Sequence, residues 1–87
     1  MKGGAAAYRI EMMVDPGLAL RVLNLFAQRG LVPDRLDLVR DDNTQWLNLH
    51  QSDLCPATAS IIAAKLTAFV GVLDVTCTFN GATLSQG

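Results

Sequence analysis

Little in this chain can do chemistry. It has one histidine and two cysteines, whereas a closed metal site takes about four Cys, His or carboxylate ligands, so no metal site is expected. An excess of charge of one sign is also missing. Seven Lys and Arg stand against eight Asp and Glu, for a net charge of −1. The cations are scattered, so the footprint of a nucleic-acid partner is absent. No apolar run approaches the ~20 residues that span a bilayer, and no membrane association is expected. Residues 1–7, Met-Lys-Gly-Gly-Ala-Ala-Ala, lack the apolar centre of a signal peptide and read as a flexible N-terminal tail. The cytoplasm is the expected compartment, and there Cys55 and Cys77 are expected to be packed thiols, not a disulfide. No glycine-rich phosphate loop occurs.

What is abundant is apolar. Hydrophobic residues make up 51% of 87. A chain of this length forms one small domain and buries roughly 60–65% of the surface its unfolded form exposes. So high an apolar share in so small a domain predicts that a partner covers part of it.

The pattern divides residues 8–79 into six elements. Tyr8, Ile10, Met12 and Val14 alternate with Arg9, Glu11 and Met13, which predicts a half-buried strand. Asp15-Pro16-Gly17 breaks it, with Asp15 placed to cap a helix and Pro16 to open one. From Leu18 the period becomes helical: Leu18, Val22, Leu25 and Phe26 form a stripe widened by Ala19 and Leu23, while Arg21, Asn24 and Gln28 lie opposite. Gly30 stops the helix. Val32 to Arg40 predicts a second strand, with Leu36 and Leu38 on one face. Asp41-Asp42-Asn43 is a turn, and Thr44 to Gln51 a third strand, with Leu47 and Leu49 opposing Trp46, Asn48 and His50. Ser52 or Asp53 is the expected cap of a second helix over Ala57–Phe69, which presents Ile61, Ile62, Leu66 and Phe69. Val72–Phe79 predicts the last strand, with Leu73, Val75, Cys77 and Phe79 on one face. Residues 80–87 read as a C-terminal tail.

The order β-α-β-β-α-β gives an α+β, ferredoxin-like fold. Right-handed connections place four antiparallel strands in the order 4-1-3-2 with both helices on one face. The second and fourth strands become edges, and one sheet face lacks a helix cover. Exposed edges need blunting or a partner, and a homodimer is expected.

Few side chains stand out against this scaffold. His50 falls on the open sheet face with no second histidine or thiol beside it. Cys55 and Cys77 have no evident base to activate them. Asp41-Asp42 reads as a solvated turn. Trp46 shares the open face, either as an interface anchor or in sheet-face packing. Asp15 reads either as a helix cap or as a ligand contact.

With this order in place the words themselves are informative. Pro16-Gly17, the run Arg21-Val22-Leu23-Asn24-Leu25-Phe26 and the exit Gln28-Arg29-Gly30 resemble the ACT domain, a small amino-acid-sensing module. Within it, Arg21-Val22-Leu23 followed by Arg29-Gly30, together with Lys65-Leu66, Val70 and Leu73-Asp74-Val75, is similar to the small regulatory subunit of acetolactate synthase (acetohydroxyacid synthase), in its minimal form of one ACT domain. The resemblance covers roughly residues 8–79. It implies a non-catalytic subunit in branched-chain amino acid biosynthesis that binds and activates a large catalytic subunit. That partner would hold thiamine diphosphate, Mg²⁺ and FAD, and this chain would hold no cofactor. It also implies side-by-side pairing through the second strand and first helix, here Leu36 and Leu38, with Trp46 and His50 as further interface candidates. An effector would sit near the first turn, at Asp15, the backbone of Gly17, Leu18 and Ala19, and Val32. Many valine-responsive members carry Asn or Asp where Val14 stands and a polar residue where Val32 stands. Both substitutions remove hydrogen bonds to an amino acid, which predicts weak or absent valine feedback. A different class of function remains open: a free-standing ACT homodimer that binds an amino acid and regulates another enzyme or regulator. An independent small enzyme on this fold would need a base and a nucleophile, or paired carboxylates, and no such set is present.

Overall fold

Alternation, period and turn chemistry resolve into seven elements in the computed structural model, which describes residues 3–86. They are β1 (Gly4–Met13), α1 (Leu18–Gln28), β2 (Arg35–Asp41), β3 (Thr44–Leu54), α2 (Pro56–Thr67), β4 (Val72–Phe79) and β5 (Ala82–Gln86). The sheet runs β2-β3-β1-β4-β5, and every neighbouring pair is antiparallel. The fold is the expected ferredoxin-like one, and its first four strands keep the expected order.

One buried residue fixes where the helices lie. Tyr8 on β1 meets Phe26 of α1 edge-on, with ring centroids 5.5 Å apart, and its hydroxyl donates to the Ala59 carbonyl of α2 at 2.9 Å. Both helices therefore cover the face to which Tyr8 points. The same face carries Ala6, Ile10 and Met12 of β1, Leu47 and Leu49 of β3, and Val75 and Cys77 of β4, all buried. Leu18, Val22 and Phe26 close it from α1, and Ala59, Ile62, Ala63 and Leu66 from α2. Among the described residues the opposite face has no helix.

α1 ends as Gly30 predicts. Gly30 N–H donates to the Ala27 carbonyl and Leu31 N–H to that of Phe26, the paired bonds of a Schellman motif. After α2, Gly71 has φ +95°, and a Cβ there would sit 3.0 Å from Leu18 Cδ2. Any larger residue meets both backbone strain and the start of α1.

The structure departs from the sequence pattern in identifiable places. β1 begins at Gly4, inside the expected tail, because Ala5–Ala7 are too small to show an alternation. Residues 1 and 2 of that tail, and Gly87, lie outside the described residues. Residues 82–86, also assigned to a tail, pair with β4, so β4 is not an edge. β2 starts at Arg35, not Val32, since Pro33 has no N–H for a ladder. β3 continues past Gln51 to Leu54. Gly17 and Cys55 occupy the helix N-caps, and neither donates or accepts a side-chain capping bond. Pro16 therefore precedes α1, whereas Pro56 is the first residue of α2. A register shift opposite Glu11/Met12 pairs Met12 with Val72, so Leu73 is skipped in the pairing and stays 54% exposed instead of joining Val75 and Cys77 in the core. In α2 the core face is Ala59, Ile62, Ala63 and Leu66. Ile61 is exposed, and Phe69 lies beyond the helix end. Alanines on every side of this helix let it turn its small residues inward and sit close to the sheet.

Candidate functional site

The turn between β1 and α1 is closed on itself. Asp15 Oδ1 accepts from Gly17 N–H at 2.8 Å, an Asx turn, and the Asp15 carbonyl accepts from Leu18 N–H at 3.2 Å. Of the amides expected to cradle a carboxylate, those of Gly17 and Leu18 are thus both engaged within the turn. Asp15 Oδ2 lies 3.5 Å from the Arg21 guanidinium, with both side chains about half exposed; such a pair contributes little stability in water. Val14 is exposed beside them, and Val32 is 81% exposed. Asp15 and Val32 stand at opposite ends of α1. Eleven helical residues span about 16 Å, so one small molecule cannot touch both within a single chain.

Two buried glutamines on β3 hold the flanks of α1. Gln45 Nε2 donates to the carbonyls of Met13 and Asp15 at 3.1 and 3.2 Å. Gln51 Nε2 donates to the Val32 carbonyl at 3.2 Å and to that of Ser52 at 3.3 Å. On the far side of the turn, Met13 N–H donates to the Gly71 carbonyl at 2.8 Å. The sequence pattern places Gln45 and Gln51 on the face of Leu47 and Leu49, and that inward placement was the available signal for their role.

The four candidate interface residues do not share a surface. Leu36 and Leu38 pair with Leu49 and Leu47, so they lie on the helix-covered face. They stay 39% and 49% exposed because β2 is an edge beyond the reach of either helix. Trp46 and His50 lie on the open face. There the Arg9 guanidinium sits 4.6 Å from the Trp46 ring centroid, a cation–π contact, and His50 is exposed between Ala7 and Arg35.

A shallow groove of about 240 Å³ runs along the helix layer, lined by Arg21, Asn24, Leu25 and Gln28 of α1 and by Phe69. It offers a guanidinium and two carboxamides over an apolar floor, with no titrating base. The polar spacing of Arg21, Asn24 and Gln28 on α1 was visible in the sequence; Phe69 across from them was not.

Of the remaining reactive groups, Tyr8 and Cys77 are buried and Cys55 is exposed. Burial pushes the Tyr8 phenol far above its ordinary value, and neighbouring Cys77 adds to the shift. Burial likewise raises the Cys77 thiol. Cys55 is exposed, and the Thr58 hydroxyl, 3.2 Å from its sulfur, holds its pKa below the ordinary value. Among the described residues no group of three His, Cys, Asp or Glu could hold a metal ion, and no helix is long and apolar enough to cross a membrane. Asp41 and Asp42 lie at the exposed β2–β3 turn, where Asp42 has φ +53°.

The order βαββαββ, with an antiparallel sheet and both helices on one face, defines a ferredoxin-like α+β domain. The model of the ACT-like domain family matches residues 2–83, and the chain belongs to that family. No curated protein matches it. Among solved structures, it is similar to the ACT domain of GTP pyrophosphokinase from Chlorobium tepidum. The crystal structure of that domain superimposes with a TM-score of 0.76 at 17% identity, over 90% of this chain and all of that one (100%). The solution structure of the same domain gives 0.73 at 18% identity, over 85% and 84%. The C-terminal domain of the MgtC protein from Mycobacterium tuberculosis gives 0.72 at 17% identity, over 92% and 90%. At such identities the likeness is one of fold.

Proposed function

We propose that this chain is a non-catalytic regulatory subunit of acetolactate synthase, binding the large catalytic subunit and raising its activity with weak or absent valine feedback. Thiamine diphosphate, Mg²⁺ and FAD belong to the catalytic partner, and the reading places both in the cytoplasm. Its support for this enzyme is the resemblance of residues 16–30 and 65–75 to that subunit. Its support for weak feedback is one observation, the engaged turn. An amino acid arriving there finds the Gly17 and Leu18 amides donated to Asp15, and the Asp15 carboxylate already beside Arg21. Binding must break those contacts before it can match the ligand's two charges, and unmatched charges leaving water are costly. Activation is then a population shift. The chain binds the productive state of the catalytic subunit better than the idle one, and about 1.4 kcal/mol of difference gives a tenfold effect.

The alternative is a homodimeric ACT module that binds an amino acid and regulates another enzyme or regulator. What supports it is the fully exposed edge strand β2 together with Val32, 81% exposed, which leave room for a second copy beside α1.

Reconstitution tests the proposal. Adding the chain to the acetolactate synthase catalytic subunit of the same organism is expected to raise its rate, and millimolar valine to leave that rate within about twofold. An unchanged rate on addition removes the first reading. Micromolar valine binding by calorimetry removes the weak-feedback part and favours the second.

A further inference from the structure

We infer that the open sheet face docks a basic segment of the catalytic subunit, with a Lys or Arg of that partner seated between Glu11 and Asp74 and an apolar side chain on Trp46 and Val39. The inference rests on the regulatory reading above for the partner's identity; the chemistry asked of the partner comes from this face. One row of side chains crosses four strands there. Val39 of β2 pairs with Trp46 of β3, Trp46 with Glu11 of β1, and Glu11 with Asp74 of β4. Neighbouring strands lie about 4.8 Å apart, so the apolar half of the row and the acidic half are centred roughly 10 Å from one another.

The acidic half carries the argument. Like charges set directly opposite one another across a ladder are destabilising. Glu11 and Asp74 are both half-buried, so water screens their repulsion less than it would at an exposed pair. Among the described residues the ion pairs are Arg21–Asp15 and Arg35–Asp37, and neither Glu11 nor Asp74 has a cation beside it. Arg9 shares their face, but its guanidinium is stacked over the Trp46 ring. A cation brought from outside turns one repulsion into two attractions.

Charge also narrows the occupant. A nucleic acid is anionic and is repelled by the pair. Two carboxylates are too few to close a metal site. A second copy stacked face to face brings no free Lys or Arg, because among the described residues this face offers only Arg9, engaged with Trp46, and Arg35, beside Asp37. A basic side chain of another protein answers the charge, and the other half of the row suits a protein as well. Val39 and Met13, which follows Glu11 on the same face, are each more than half exposed. The Trp46 ring between them is steadied by Arg9, and Trp and Arg are the residue types on which interface energy concentrates.

The test uses the acetolactate synthase catalytic subunit of the same organism and the full chain labelled with 5-fluorotryptophan. The chain has one tryptophan, so a single fluorine signal reports whether this face is covered, and binding is expected to shift it. Glu11→Gln with Asp74→Asn is expected to raise the dissociation constant roughly tenfold. Ser60→Lys with Ala64→Lys, exposed on α2, makes the same change in net charge and is expected to leave the constant within about twofold. The Glu11→Gln, Asp74→Asn chain alone is expected to melt no lower than the wild type, since its opposed like charges are gone. A lower melting temperature shows that the pair is already matched within the chain and overturns the inference. An unmoved fluorine signal, undiminished affinity without the two charges, or equal weakening by the α2 variant overturns this surface while the regulatory reading stands on the wild type's activation. Self-association lost with the two charges, followed by sedimentation, assigns the face to a second copy and overturns it as well. A wild-type chain that neither binds nor activates removes the regulatory reading and this surface together.

Discussion

Tyr8 meets both helices from one position on β1, through its ring to Phe26 and its hydroxyl to the Ala59 carbonyl. Tyr8→Phe keeps the ring packing and deletes the hydrogen bond. Ala59 is helical, so its carbonyl retains the bond of the helix ladder, and the expected loss is about 1 kcal/mol in urea unfolding. A loss above about 3 kcal/mol would mean that the ring itself moves. That Tyr8 would be inward was legible from alternation. That it would join both helices was not, because the partner is a backbone carbonyl on α2, and backbone carries no residue-type signal. The same holds for Asp15. Its place before Pro16-Gly17 marks a turn, yet which of its oxygens binds which amide depends on the turn's geometry and not on composition.

At the scale of elements, the β4–β5 hairpin carries its own mark in the sequence. Asn80-Gly81 is a strong short-range mark of a two-residue hairpin, and both residues have positive φ, +51° and +87°. The following segment, Ala-Thr-Leu-Ser-Gln, is too short and polar to announce a strand. The turn also holds the start of β1: Ala5 N–H donates to Asn80 Oδ1 at 2.9 Å, and Asn80 N–H to the Ala5 carbonyl at 2.8 Å. Asn80→Ala is therefore expected to cost about 2 kcal/mol, from the lost hydrogen bond and from an alanine held at positive φ, and to speed hydrogen exchange at the Ala5 amide. Unchanged exchange there would show that the two ends are held independently. α2 gives the opposite case. With alanines all round it, periodicity could not choose its buried face, and the fit against β4 did. The register shift near Val72 was equally illegible, since it arises from pairing with β1 and has no local mark.

At the scale of the whole molecule, alkaline pH reaches the core. The folded state raises the pKa of Cys77 from 9.0 and of Tyr8 from 10.0. Both contributions are fully present below those ordinary values. Above them the unfolded chain gives up protons that the folded chain keeps, so stability falls as pH rises past 9 and faster past 10. Melting temperatures measured from pH 7 to 11 are expected to follow that course, with Cys77→Ala flattening the first part and Tyr8→Phe the second. Parallel curves for all three proteins would place the alkaline loss elsewhere. The whole fold was the most legible level, because strand order follows from connection rules that the six predicted elements already satisfy. The glutamines of β3 bear on this scale as well. Gln45 and Gln51 tie the chain before and after α1 to one strand, like a strap buckled at both ends. A displacement of the turn at Asp15 meets β3 first, and β2 only through it.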